Sequence, residues 1–449
     1  MNELIVAGCA NFPHRVWETD KVWHDSIYVL TDSSDSPGHT PAWVDAGHLP
    51  RATAYGASVS IPQDVSSHHG LLCIGGNDAN SPFRHVYLLQ WDTNTQSVQQ
   101  LEFPSLPEPC VHASAQRIGH MVYVVGGQRG SDLATATSGF WSLDLSQSVD
   151  ASSLKWNRLP DFPGVPRALH LTAAQHDGYE TCLYVLSGRR QAESSVEFLT
   201  DHWAYRPSVQ TWQKKADVPQ CVMAGTATHV GQSHIAVLGG DDGSLFGRAG
   251  QLKDDHPGFQ KKTFAYHTIT DTWTETGTSP ANQVTTTAVH WNDSIVVASG
   301  EIRPRVRTPS VYQVTISEPD RSFGTLNYIV LFGYLLSMVG IGVFFARRNR
   351  TTDDYFRGGS QIPWWAAGCS IFATMLSSVT FTGIPSKAYA QDWTYSVGNF
   401  TIPLVAFVAV YVAMPFFRRI DATSAYEYLE KRFNRLVRWF GSLSFSLFH

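Results

Sequence analysis

No two cysteines in this 449-residue chain stand in a CxxC spacing; the six, Cys9, Cys73, Cys110, Cys182, Cys221 and Cys369, are scattered. That argues against a zinc site and against a disulfide framework. Charge is also sparse. Only 16% of residues are Asp, Glu, Lys or Arg, the net charge is -5 and the pI is near 6.4. Basic residues cluster only in short loops beside apolar segments, so no nucleic acid is expected as a partner. Glycine-rich phosphate loops of the two common patterns are missing, as is a GxSxG elbow. The histidines, His68, His69, His112 and His120 among them, never fall at metal-ligand spacing on one element. The first residues, MNELIVAGCANF, lack the basic start, apolar core and small-residue cleavage site of a signal peptide. An aromatic content of 12% excludes wholesale disorder, and the length gives room for two or three domains.

One feature divides the chain. Ser322 to Ala346 carries no charged side chain and ends against Arg347, Arg348 and Arg350. A run at or above the ~20 residues that cross a bilayer's hydrocarbon reads as a transmembrane helix. Before it the sequence is rich in Gly, Trp and short β-type runs. After it, long uncharged runs alternate with short basic loops.

The first part repeats. A β-type run closing on a small pair recurs six times, as LIVAGC to Cys9, LLCIGG to Gly76, VYVVGG to Gly127, LYVLSG to Gly188, IAVLGG to Gly240 and IVVASG to Gly300. Behind most copies come an aromatic-bearing run and then a run marked by Trp43, Trp156, Trp212 or Trp273. A Pro-containing turn then leads through small residues into the next copy. Each unit predicts a four-stranded antiparallel sheet of about 50 to 60 residues, the period of a kelch propeller blade. Aromatics of the outer strands are expected to fill the wedges between blades. A β-sandwich with glycine turns is the alternative, but sandwiches do not repeat one strand order six times. The first unit is expected to lack its innermost strand and the last its outermost. A segment upstream of Met1 could supply both at the seam, so the chain reads as shortened at its N-terminus, with an export signal lost there.

The stretch IVAGCANFPHRVWETDKVWHDSIYVL, with LPRATAYGASV and GEIRPRVRTPSVYQV, resembles the kelch-type N-acetylneuraminate epimerases, or sialic acid mutarotases, in cyclically permuted form. The resemblance covers roughly residues 4 to 316. It implies Glu301 and Arg307 as the catalytic pair. Cys9 departs from the family pattern, standing where the second glycine of a pair is usual. Arg305 stands where glycine is common, a change expected to narrow the pocket. Mutarotation opens and recloses a sugar ring, which needs a base for the anomeric hydroxyl and an acid for the ring oxygen. A carboxylate can be that base, and an arginine can hold the sugar acid's carboxylate through paired donors. Arg51 and Arg167 each read as opening an inner strand and pointing into the channel. Tyr55 follows Arg51 at an even offset on one strand face. The alternative is that these arginines tie blade loops together.

In the second part, uncharged runs suggest spans at about 325–346, 362–385 and 395–417, with a further one over 433–449 cut at His449. Basic loops follow the first and third. The positive-inside rule then places Arg347 and Arg418 in the cytoplasm and the propeller outside. In IFATMLSSVTFTGIP, hydroxyls crowd a segment that also holds Gly383 and Pro385. Such a helix is easily broken, freeing carbonyls for a cation; alternatively, these small residues only let helices pack closely. The stretch DDYFRGGSQIPWWAAGCSIFATMLSSVTFTGIPSKAYAQDW resembles the start of the sodium/solute symporter family. The resemblance runs from about Asn327 to the last residue. It implies an inverted-repeat (LeuT-like) transporter fold, truncated here, with a broken first core helix whose carbonyls at Ala373 and Leu376 help hold sodium. Sugar-carrying members place Asn, Glu and Gln where Met375, Val379 and Thr380 stand. The Ser377 and Thr380 pattern is closer to members that carry anions, sialic acid transporters included, where hydroxyls meet the substrate's carboxylate.

The expectation is a two-part chain in the inner membrane. Residues 1–318 form an all-β, six-bladed kelch propeller outside the cytoplasm, and residues 322–449 begin a multi-pass sodium symporter for sialic acid or a related sugar acid. Its propeller would interconvert sialic acid anomers or, alternatively, act as a non-catalytic ligand-binding or protein-interaction module. As given, the chain is not expected to transport by itself.

Overall fold

The computed structural model describes residues 3–31, 41–146, 150–281, 283–292, 294–315, 323–348, 350–351, 354, 358–375, 377–390, 393–420 and 424–448. The chain separates into two compact units, Met1–Ile316 and Ser317–His449.

The first unit is a six-bladed β-propeller. Blade 1 holds strands Glu3–Asn11, Val22–Thr31 and Ala42–His48; blade 2, Ala57–Ile61, Gly70–Ile74, Val86–Asp92 and Ser97–Phe103. Blade 3 is built from Ser114–Ile118, Met121–Val125, Phe140–Asp144 and Trp156–Arg158, and blade 4 from Leu171–His176, Thr181–Leu186, His202–Arg206 and Thr211–Lys215. Blade 5 comprises Thr226–Val230, His234–Leu238, Lys262–His267 and Thr272–Thr278; blade 6 has Ala288–Trp291, Ser294–Ala298 and Val311–Val314. Among the described residues, blade 1 therefore has no innermost strand and blade 6 no outermost one, as the repeat pattern predicts.

Each pair of small residues forces a backbone that ordinary side chains resist. Gly75 and Gly126 have φ of 64° and 60°. A Cβ on Gly75 would sit 2.2 Å from the Cys110 carbonyl oxygen, so no larger residue fits. In blade 4 a serine takes that place. Ser187, at φ 60°, offsets its strain through its hydroxyl, which donates to Leu199 O at 3.0 Å and accepts from Val222 N at 2.9 Å.

Apolar clusters fill the wedges between blades. Leu72, Val86 and Leu88 of blade 2 pack with Val122, Val124 and Leu143 of blade 3, and Trp156 lies against them. Trp212 packs at the boundary of blades 3 and 4, and Trp273 at that of blades 4 and 5. Two of these indoles also reach across to the preceding blade, Trp156 Nε1 to Pro104 O at 2.8 Å and Trp273 Nε1 to Ala216 O at 2.9 Å. Trp43 does not share this role; it stands 42% exposed on the outer strand of blade 1. The ring closes without a shared sheet, through Leu4 and Leu30 of blade 1 against Val296 of blade 6.

The second unit is helical. Thr325–Arg348 is a continuous helix of 24 residues, about 36 Å at 1.5 Å per residue, ending on Arg347 and Arg348. It and the Val397–Phe416 stretch are the two described segments long and apolar enough to cross a membrane. Within the latter, a π-helical turn at Ala409–Ala413 precedes Pro415, whose ring and missing N–H disturb a regular α-helical ladder. The 362–385 run is not one helix. It divides into Trp364–Met375 and Ser378–Ala390. The final described helix, Arg435–Phe448, follows Ala425–Arg432, which is capped by Ser424.

If the apolar contact of Leu4, Leu30 and Val296 closes the ring, Leu30→Ala should cost about 2–5 kcal/mol. Denaturant unfolding of the purified chain, followed by tryptophan fluorescence, measures this; an unchanged midpoint would show that the ring is closed by other means.

Candidate functional site

Five blades contribute to the central opening through one repeated device. The residue after each small pair forms an isolated antiparallel bridge to the segment leading into its own blade's inner strand. These bridges are Ala54–Asn77, Val111–Gln128, Ala168–Arg189, Met223–Asp241 and Val284–Glu301. The residue after the first partner is left-handed in every case: Tyr55, His112, Leu169, Ala224 and Thr285 have φ between 53° and 60°. Their backbones join in a belt. His112 N donates to Tyr55 O (2.9 Å), Leu169 N to His112 O (3.1 Å), Ala224 N to Leu169 O (2.8 Å) and Thr285 N to Ala224 O (2.7 Å).

The belt lines a cavity of about 510 Å³, within the usual range for a small-molecule site. Its polar wall includes Lys21, Tyr55, His112, Arg189, Asp241 and Glu301. Glu301 begins a small hairpin inserted in blade 6, Glu301–Arg303 against Val306–Arg307, in which Glu301 and Arg307 are directly paired. Residues paired across two strands project to the same face, so the Arg307 charge acts on the Glu301 carboxyl, although Arg307 itself is not among the cavity-lining residues. Burial raises the Glu301 carboxyl above its ordinary range, while Arg307, the Arg305 N–H on Glu301 Oε1, and Lys21 partly offset it. The Arg307 guanidinium lies 5.9 Å from the centre of the Tyr55 ring.

Lys21 stands nearby. Its Nζ donates to Tyr55 Oη at 3.2 Å and lies 5.0 to 5.5 Å from the Tyr55, Phe12 and Trp23 rings. Burial, with Arg189 and Lys21 close by, pulls the His112 imidazole down to about 3, so the ring is neutral at physiological pH. Arg189 lies over Phe246, 5.1 Å from its centre.

Three expectations need correction. Arg167 is 0% exposed and does not face the cavity. It forms a two-pronged pair with Asp201, 2.7 Å at each contact, donates to Ser187 O and Val165 O, and covers the Phe162 ring. It ties blade 4 together. Arg51 is exposed on a loop, its guanidinium 4.7 Å from the Phe83 ring centre, and is not among the cavity-lining residues. The inner strands begin at Ala57 and Leu171, so neither arginine opens one, and strand alternation does not link Arg51 to Tyr55. Arg305 does not narrow the cavity either; its guanidinium turns to the loop of blade 1, 3.9 Å from the Phe12 ring centre, and its own φ of 70° accounts for a glycine preference there.

In the helical unit, Ser377 sits at the break between Trp364–Met375 and Ser378–Ala390. Its Oγ accepts from Thr380 N at 3.1 Å and lies 3.0 Å from Thr380 Oγ1, so the two hydroxyls meet at the start of the second half-helix. Ala373 is in the last turn of the first half-helix. Leu376 lies outside the described residues.

With this geometry in place, comparison with known proteins is informative. Residues 103–254 match the family model for N-acetylneuraminate epimerase, and residues 355–449 that for the sodium:solute symporter family. Two family models thus match separate segments of this chain. The epimerase segment stops short of Glu301. The symporter segment is similar to the sodium/sialic acid symporter NanT of Aliivibrio fischeri, at 54% identity over 29% of this chain and 26% of that protein. It is also similar to the sodium/sialic acid symporter SiaT of Proteus mirabilis, 55% identical over 28% of this chain and 26% of that protein. Human sodium-coupled monocarboxylate transporter 1 is 34% identical over 28% of this chain and 22% of its own length. The chain thus spans about a quarter of the curated relatives it matches. A solved structure titled "Structure of YjhT" aligns over 65% of this chain and 89% of that one, with a TM-score of 0.48 and 16% identity. The symporter match and its relatives mark a membrane protein.

Lys21, His112, Arg189 and Asp241 are cavity residues that motif reading does not single out. A signal for two of them exists in the repeat itself, because Arg189 and Asp241 occupy the same post-glycine place as Glu301. Replacing Arg167 by Met should cost about 3–5 kcal/mol by stranding the Asp201 carboxylate, whereas Arg51→Ala should cost under about 1 kcal/mol. Thermal melts of the two variants test this contrast, and equal small shifts would contradict the structural role given to Arg167.

Proposed function

We propose that the chain serves sodium-coupled uptake of sialic acid or a closely related sugar acid, with a propeller outside the cytoplasm that interconverts the anomers of the same sugar acid. The observation that carries the enzymatic half is Glu301: a carboxylate buried in a monosaccharide-sized cavity and paired across a hairpin with Arg307. In this reading Glu301 takes the proton of the anomeric hydroxyl. The ring C–O bond then opens to the keto form, and reclosure on the other carbonyl face gives the second anomer. Arg307 holds the sugar acid's carboxylate, and Tyr55 and Lys21 frame it. The transport half rests on the symporter segment and the broken helix. There the carbonyls of Ala373 and Leu376 help hold sodium, and the Ser377 and Thr380 hydroxyls meet the substrate carboxylate. The arrangement follows the kelch pattern for the propeller and the inverted-repeat pattern for the carrier, with residues 1–318 and 322–449 as the two domains.

Anomer exchange, read by NMR on sialic acid with the full chain in detergent, tests the enzymatic half. The wild type should exceed the spontaneous rate, and Glu301→Gln should return to it; a propeller that only binds the sugar would give no acceleration in either. A base raised by burial is protonated where an exposed glutamate is already ionised, so the rate should rise with pH through a midpoint above about 4.3. Arg307→Met removes a charge that lowers this carboxyl and should push the midpoint higher. Uptake of labelled sialic acid by cells expressing the full-length gene product should fall when choline replaces sodium; equal uptake would remove the coupling.

A further inference from the structure

Ring opening leaves one proton unassigned. Glu301 can take it from the anomeric hydroxyl, but the ring oxygen must receive one as its bond to the anomeric carbon breaks. We propose that Asp241 is that second proton-transfer group, the acid that protonates the sugar's ring oxygen. The inference rests on the mutarotase reading above and extends it.

Position is the first argument. Asp241 and Glu301 hold the same repeat place on neighbouring blades 5 and 6, each directly after a glycine, and both line the one cavity. The backbone of each is pinned on both sides. Asp241 N donates to Met223 O at 2.9 Å and Asp241 O accepts from Met223 N at 3.1 Å, while Glu301 N donates to Val284 O at 2.8 Å and Glu301 O accepts from Val284 N at 2.9 Å. Asp241 Oδ1 also takes the Gly243 N–H at 2.9 Å, which fixes the carboxyl's plane.

The second argument is the supply of acids. Burial lowers the His112 and His256 imidazoles, so neither stands as an imidazolium acid at neutral pH. Lys21 is engaged with Tyr55 Oη. Asp241 differs: burial, reinforced by the neighbouring Asp242 carboxylate, raises its carboxyl, against the opposing pull of the Gly243 N–H and Arg189. Asp241 in turn raises the Glu301 carboxyl, so a double negative charge across these two cavity carboxyls is disfavoured. Glu301 has Arg307, Lys21 and the Arg305 N–H to favour its ionised form, while Asp241 stands beside a second carboxylate, Asp242; the donated proton is therefore assigned to Asp241.

The step balances. Glu301 gains the hydroxyl proton as the ring C–O bond breaks, the bonding pair goes to the ring oxygen, and Asp241 gives that oxygen its proton. Reclosure returns both protons, the new hydroxyl giving its proton back to Asp241 and the carbonyl oxygen drawing one from Glu301. No co-reactant is needed.

The test uses the full chain and the same NMR exchange assay. Asp241→Asn should lower kcat by about 100-fold or more with little change in KM, and should abolish the alkaline fall of the pH–rate profile. Asp241→Glu should retain part of the rate, and Asp241→Ala should be rescued in proportion to added protonated acetate. Asn activity within about twofold of wild type would overturn the proposal. So would a loss that neither Glu nor acetic acid restores, since that marks a structural role. A wild type without acceleration would sink the mutarotase reading itself, and this inference with it; that case is distinct because there is no rate for Asp241→Asn to lose.

Discussion

The hydrogen-bonded belt through Tyr55, His112, Leu169, Ala224 and Thr285 is the constraint on which the propeller's site depends. Five residues with side chains are held in a left-handed conformation that costs of order 1–2 kcal/mol each. Their positions persist because neighbouring blades bond through them and because wedge packing of the Trp- and Leu-rich clusters leaves the chain no other path. The belt turns the inner-strand entries so that the post-glycine residues Asn77, Arg189, Asp241 and Glu301 line the opening, while Gln128 stays buried. Chemistry can then be changed one blade at a time, as Asn77, Arg189, Asp241 and Glu301 illustrate, without disturbing the ring.

Much of the fold is legible in the sequence because a repeated strand order is a strong signal. Six small-pair runs give six blades, and the incomplete first and last units appear as three-stranded sheets. Trp156, Trp212 and Trp273 sit where wedge-fillers are expected. The pairing of Glu301 with Arg307 is local, separated by one short turn, and so is readable. Arg167 is not. Its partner Asp201 lies 34 residues away, and whether a blade-entry arginine points into the channel or into its own blade depends on that distant carboxylate. Arg51 and Tyr55 fail for a different reason: strand alternation holds only inside a strand, and a left-handed turn separates this pair from Ala57.

In the helical unit the run over 362–385 is interrupted between Met375 and Ser378, at the cluster of hydroxyls, while Gly383 and Pro385, which the sequence also marks as weak points, lie inside the second half-helix. Ser377 caps that second half-helix. In the proposed function this half-helix start would meet the solute's carboxylate. In the cavity of the propeller, by contrast, a carboxylate ligand would meet cationic side chains.

The central claim is that one sugar acid meets the propeller before the carrier, which requires the propeller to lie outside the cytoplasm. Cysteines introduced one at a time as Val209→Cys, at an exposed turn of blade 4, and Thr351→Cys, just after the first apolar helix, can be probed in spheroplasts with a membrane-impermeant maleimide. The account predicts labelling at 209 in intact spheroplasts and at 351 only after permeabilisation. Labelling of both positions only after permeabilisation would place the propeller with the basic loop and contradict it.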